Sequence, residues 1–247
     1  MRIGILGAGS IGKTLAIKLA GAGHEVRIAN SRGPESIGAD VLSTGARAVD
    51  ASEVVSDIDV LIISIPLNAI PGVADLIRSA PSDAVIIDTS NYYPLRDQKV
   101  DALEAGQVES VWVSEQLQRP IAKAWNAITS QSFESEGRQA GAPDRIAIPV
   151  AADRDIDRTV AMDLVDQTGF DAFFSGSLAD SWRQQPGTPA YCTDRTSKEL
   201  SAALDAANSS VSGDRRDFVN RALLERLDND LPITREYIVN LNRKIYI

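Results

Sequence analysis

The chain has 247 residues, 44% of them hydrophobic and 24% charged, with a formal net charge of −9, one histidine and one cysteine. That length suffices to bury a sizeable core without staples, and the acidic balance argues against nucleic-acid binding, which needs a basic face. Cys192 alone excludes an intrachain disulfide and a thiolate metal cluster, so a reducing cytoplasm is the expected compartment; the start lacks a basic signal-type n-region and no apolar run approaches the roughly 18 residues that span a bilayer, so no membrane role is expected.

The apolar run Arg2–Leu6 opens the chain and reads as a buried parallel strand. Gly7, Gly9 and Gly12 follow at the spacing of the dinucleotide fingerprint, and Lys13–Ala20 has helical periodicity. Gly7 permits the tight turn, Gly9 lets backbone approach a pyrophosphate, and Gly12 lets the helix close on the strand, with free N–H groups at the helix start facing phosphate. A second strand, Glu25–Ala29, ends in Asn30-Ser31-Arg32-Gly33-Pro34. The Asp or Glu that would hold a ribose 2′-OH is missing between Val26 and Pro34. Arg32 offers a guanidinium fork, Ser31 a hydroxyl, and Gly33-Pro34 a helix start, which together suit a 2′-phosphate and hence NADP(H). An ordinary solvated turn is the competing reading.

Further runs at Ala46–Val49 (weak), Val60–Ile65, Ala84–Asp88, Ile121–Ala127, Arg145–Val150 and Phe170–Phe174 alternate with helical segments, clearest at Lys13–Gly21, Asn68–Ser79, Ser110–Leu117 and Asp155–Thr168. The expected fold is α/β: a doubly wound, mainly parallel sheet with helices on both faces, followed by a small C-terminal helical region. Asn68 is the expected N-cap of its helix, and Asp155 and Asp157 stand near the positive end of theirs. Residues 1–175 form the nucleotide-binding unit; 176–247 add a loop to Thr193, then helices at Ser197–Asn208, Asp214–Asn229 and Ile233–Ile245. Phe218, Ala222, Leu223 and Leu227, and likewise Tyr237, Ile238, Leu241 and Ile245, make apolar stripes that read as core or oligomer contacts, so a homodimer is expected.

Catalytic machinery is sparse. His24 lies in the turn before the second strand, away from the nucleotide edge, and there is no GxSxG elbow or P-loop. The polar groups at later strand ends are Ser64, Pro66 and Asn68, then Asp88 to Tyr93, then Lys123, Trp125 and Asn126. They suit positioning of rings better than nucleophilic or metal chemistry, and no metal is expected. Hydride transfer needs mostly alignment, because the cofactor carries the electronics.

Arg2–Gly12, the run Ile28 to Ser36, Asp88–Asn91 and Pro120–Ile128 resemble the NADP-dependent oxidoreductase family typified by NADPH:coenzyme F420 (deazaflavin) reductases, and the reductase domain of the STEAP metalloreductases, over about the first 190 residues. The resemblance implies NADP(H) contacts for Ser10, Ile11, Ser31, Arg32, Ser64 and Pro66, and a place for Asn126 beside the nicotinamide. Tyr92–Asp97, Trp182–Gly187 and the tail after Thr193 depart from that family. NADP binding survives these departures; the partner is left open among deazaflavin, flavin, quinone, imine and small carbonyl.

The expected activity is hydride exchange between NADP(H) and a planar small-molecule acceptor bounded by Asn91 to Tyr93, Trp125, Asn126 and Trp182, with Asn126 and Asn91 at the reacting rings. Two readings compete: a 3-hydroxyacid or imino-acid reductase with its proton donor among Lys123, Tyr92 and Tyr93, and a non-catalytic NADP(H)-binding sensor.

Overall fold

The computed structural model describes all 247 residues. Eight strands form one sheet: β1 Arg2–Leu6, β2 Glu25–Ala29, β3 Arg47–Ala48, β4 Val60–Ile63, β5 Val85–Asp88, β6 Ala122–Lys123, β7 Ala147–Ala152 and β8 Asp171–Gly176. Their order is β3-β2-β1-β4-β5-β6-β7-β8. Every neighbouring pair is parallel except β6 and β7. Register places Ile3 beside Val26 and Ile5 beside Ile28. Strands β4, β5 and β7 are buried along their length, as unalternated β-branched runs demand when helices cover both faces.

The helices are α1 Ser10–Gly21, α2 Ala39–Leu42, α3 Ala51–Val54, α4 Ile70–Arg78, α5 Pro94–Asp97, α6 Asp101–Glu104, α7 Glu109–Leu117, α8 Ser130–Ser135, α9 Asp155–Gln167, α10 Ser197–Asp205, α11 Ser209–Asp228 and α12 Arg235–Ile245. One face of the sheet packs Ile5, Ile28 and Ile62 against Leu15 and Leu19 of α1, Phe133 of α8 and Leu164 of α9. The other packs Leu61, Ile63 and Ile86 against Ile70 and Ile77 of α4 and Val113 and Leu117 of α7.

Several boundaries differ from expectation. The run Ile121–Ala127 supplies only two paired strand residues, because Trp125 adopts φ +55 and turns the chain out of the ladder. Asn68 is not an N-cap: it lies in a 3₁₀ turn, Leu67–Ala69, and α4 begins at Ile70 with Pro71 in its first turn, where a missing N–H is harmless. The stretch after Ser175 is more ordered than a loop, since a 3₁₀ helix, Leu178–Gln184, is closed by a Ser177–Asp180 capping box. In the tail, Leu200, Ala203 and Leu204 of α10 pack on Ala147 of β7 and on Ala190. Val219 of α11 and Tyr246, just past α12, bury with Ala127 and Tyr191. The C-terminal helices therefore lie against the sheet domain's loops.

Candidate active site

The glycines divide into two kinds. A Cβ on Gly12 would stand 2.0 Å from the Gly7 carbonyl oxygen, and one on Gly7, itself at φ +115, would stand 2.1 Å from the Ser64 carbonyl oxygen. These two hold α1 tight against the sheet. A Cβ on Gly9 would meet nothing within 4 Å, so its side of the loop is open. No side chain caps the start of α1, and its first turn has no acidic residue. Ser10, Ile11 and Gly12 thus begin a helix with uncapped N–H groups, the arrangement a pyrophosphate needs.

A cleft of about 570 Å³ runs from this loop along the carboxyl ends of β1, β2 and β4, lined by Gly7, Gly9, Asn30, Ser31, Arg32, Ser64 and Pro66 together with apolar Ala51, Ala69, Val73 and Leu76. The apolar wall suits an adenine ring. Asn30 shapes the turn: its Oδ1 accepts from the Arg32 N–H at 2.8 Å and its Nδ2 donates to Ser36 Oγ at 2.8 Å. The Arg32 guanidinium has no hydrogen bond or ion pair within the chain, although fifteen ion-pair contacts form elsewhere. The free cation, uncapped helix start and open Gly9 fit an NADP-type dinucleotide.

Across the sheet edge the expected catalytic amides are already engaged. Asn126 Nδ2 donates to Asn91 Oδ1 at 3.1 Å and to the Gln184 carbonyl at 2.9 Å, while Gln184 Nε2 donates to Asn126 Oδ1 at 2.9 Å. Asn91 Nδ2 donates to the Asn126 carbonyl at 2.9 Å. Asn126 is 2% exposed. Both N–H groups of Asn126 are thus taken within the chain, whereas Asn91 keeps one N–H; the two amides tie the β5 and β6 loops to the segment before Gln185. Trp125 moves out of the candidate site. It is buried in the core with Nε1 donating to Thr168 Oγ1 at 3.3 Å.

Lys123 is no solvated edge charge. It is fully buried, its Nζ donating to Asp88 Oδ2 at 2.6 Å and to the Ser90 carbonyl at 2.5 Å. Tyr92 OH donates to Glu104 at 2.8 Å and accepts from the Val100 N–H at 3.1 Å. The Tyr93 hydroxyl lies 2.7 Å from the Tyr191 hydroxyl at the wall of a cavity. Tyr92 and Tyr93 point apart into two clefts: a polar one of about 570 Å³ with Glu109, Trp182 and Arg216, and a smaller one under α11 and α12. His24 lies away from both, with Nε2 2.6 Å from Gln167 Oε1.

Sequence reasoning missed Glu109 and Tyr191, and left Gln184 without a role of its own inside the Trp182–Gly187 stretch. No local signal marks them: Gln184 and Tyr191 fall in a stretch read as loop, and Glu109 reads as an ordinary acidic helix start.

The doubly wound sheet, its glycine loop and the free cation at the second strand end define the class of nucleotide-dependent oxidoreductases. More narrowly, residues 2–92, rather more than a third of the chain, match the family described as NADP oxidoreductase, coenzyme F420-dependent. The Escherichia coli K12 protein YjhV is 56% identical over 54 residues, a match spanning 22% of this chain and 39% of that protein. A hypothetical protein of Sinorhizobium meliloti overlays with a TM-score of 0.68 at 25% identity, covering 79% of this chain and 95% of that one. A structure described as an F420-dependent NADP reductase from Arthrobacter sp. FB24 overlays with a TM-score of 0.56 at 18% identity, covering 73% and 87%; at that identity the likeness speaks for the fold.

Proposed function

We propose that the protein transfers hydride between NADP(H) and a planar organic acceptor, with deazaflavin and flavin the first acceptors to test. The observation that carries the reading is Arg32, a cation without an internal partner at the mouth of the cleft that begins at Gly7 and Gly9. Bound NADPH supplies the hydride. The chain's own part is to hold the adenosine against Val73 and Leu76, the 2′-phosphate at Ser31 and Arg32, and the pyrophosphate at the start of α1, while Ser64 and Pro66 border the path to the nicotinamide. The site residues proposed for the cofactor are therefore Gly7, Gly9, Ser10, Ile11, Gly12, Asn30, Ser31, Arg32, Ser64 and Pro66. A reducing cytoplasm suits a protein with one buried thiol. A homodimer is part of the same proposal, built on the outer face of α11, where Leu224 and Leu227 are exposed.

Titrating the protein with NADPH and NADH, with and without Arg32→Ala, tests this. Loss of one charge-assisted phosphate contact is expected to weaken NADPH by about 1.5 to 3 kcal/mol and leave NADH nearly unchanged. Equal, weak binding of both nucleotides with no effect of Arg32→Ala would sink the reading.

A further inference from the structure

We propose that the cavity beneath α11 and α12 is the acceptor site, that it takes an uncharged carbonyl compound of one or two rings, and that the Tyr93–Tyr191 hydroxyl pair delivers the proton that accompanies the hydride. The proposal rests on the NADP(H) reading above and narrows its acceptor to compounds smaller than the three-ring deazaflavin and flavin named there.

Location comes first. The cavity measures about 360 Å³, at the small end of ligand sites and suited to one or two rings. Tyr93 enters it from the loop after β5, and Ile128 and Ser130 from the loop after β6. Both loops lie at the carboxyl ends of parallel strands, the edge on which the Gly7–Gly12 loop also opens. In open α/β sheets this edge receives ligands. α8, which begins at Ser130 in the cavity lining, packs on α1.

Charge selects the ligand class. The single charged residue in the lining is Arg96, and its guanidinium is already paired with buried Asp97 through Nε at 2.8 Å and Nη2 at 2.7 Å. No uncompensated charge faces the space. The remaining walls include Ile128, Val219, Leu223 and Ile238. An apolar ring without net charge is favoured there, since an ion would lose its hydration with no partner.

The walls carry a pair of hydroxyls. Tyr93 OH and Tyr191 OH lie 2.7 Å apart and form no other hydrogen bond. One hydroxyl donates to the other, so the pair retains one O–H. Burial pushes both phenols above their ordinary range, so this O–H stays protonated at neutral pH. An O–H held among apolar walls suits a ring bearing a carbonyl oxygen.

In the reaction the hydride leaves the nicotinamide of NADPH for the carbonyl carbon. The carbonyl π pair takes the tyrosine proton, so a C–H and an O–H bond form as the phenol O–H breaks. NADPH is oxidised, the carbonyl is reduced to an alcohol, and solvent returns the proton to the tyrosinate.

Isatin, a planar bicyclic ketone with one N–H, is the probe. Calorimetric titration without nucleotide is expected to show isatin binding, weakened at least about tenfold by Leu223→Trp, which fills the cavity. In the Tyr93→Phe/Tyr191→Phe double variant, kcat for isatin reduction by NADPH is expected to fall about 100-fold or more, with NADPH affinity unchanged. Tyr237→Phe, in α12 but outside the cavity lining, is expected to change nothing. An unchanged kcat in the double variant overturns the proton-donor assignment. NADPH binding with neither isatin binding nor turnover overturns the acceptor site and leaves the nucleotide reading standing, whereas failure of wild type to bind NADPH is failure of that parent reading alone.

Discussion

Two buried carboxylates, Asp88 and Glu109, share the neighbourhood of one buried lysine. Asp88 holds Lys123 directly. Glu109 accepts from the Tyr92 N–H at 3.1 Å. Desolvation raises the Glu109 carboxyl to about 7, against the opposing pull of Lys123, the Tyr92 N–H and Arg216, with Asp88 adding to the rise. The native state therefore binds this proton more tightly than the unfolded chain does. Its contribution is fully present below the ordinary carboxylate range and is lost as pH rises through about 7. Asp194, also raised by burial, adds the same sign. Urea unfolding is expected to show stability falling between about pH 5 and about pH 8, with a shallower fall in Glu109→Gln; an identical slope in the two proteins would refute the assignment. None of this was legible in the chain, because Glu109 owes its state to burial against groups from Tyr92, Lys123 and Arg216, far apart in sequence.

At the scale of elements, the strand–loop–helix opening was legible because each part is local. Gly7 and Gly12 are packing requirements, whereas Gly9, at φ −75, has an ordinary backbone and open space before it. Gly12→Ala is expected to cost about 1 to 3 kcal/mol of stability, since the neighbour it strikes is backbone. Gly9→Ala is expected to stay within about 0.5 kcal/mol of wild type in unfolding and yet to weaken NADPH. Equal losses of stability would erase the distinction. The short helices α2, α3, α5, α6 and α8 escaped notice because four to six residues do not complete two turns of a 3.6-residue period. The β6 segment was overread: apolar composition extends through Ala127, but the left-handed turn at Trp125 ends the pairing.

For the whole molecule, the tail has two faces. Val219, Val239 and Asn242 turn inward, while Leu224, Leu227 and Leu231 remain 44%, 56% and 48% exposed. Covering this outer row with a second copy is the expected dimer contact, so Leu224→Ser/Leu227→Ser/Leu231→Ser should give a folded monomer by light scattering. A wild type that is already monomeric would dismiss the dimer. Truncation after Thr193 is a poor test of the interface, since α10 and α12 also bury Ala147, Ala190 and Tyr191.

From sequence alone came the parallel α/β sheet, the glycine loop and the cation at the end of the second strand, because hydrophobic period, glycine spacing and a strand-end charge act over a few neighbouring residues. Tertiary structure alone decided which polar side chains are free. Asn126, Asn91 and Lys123 look available in the chain but are engaged in the fold, and the hydroxyl pair of Tyr93 and Tyr191 exists only because ninety-eight residues of separation close to 2.7 Å. Availability depends on burial and on partners supplied from other elements, and neither property belongs to a residue's own stretch of sequence.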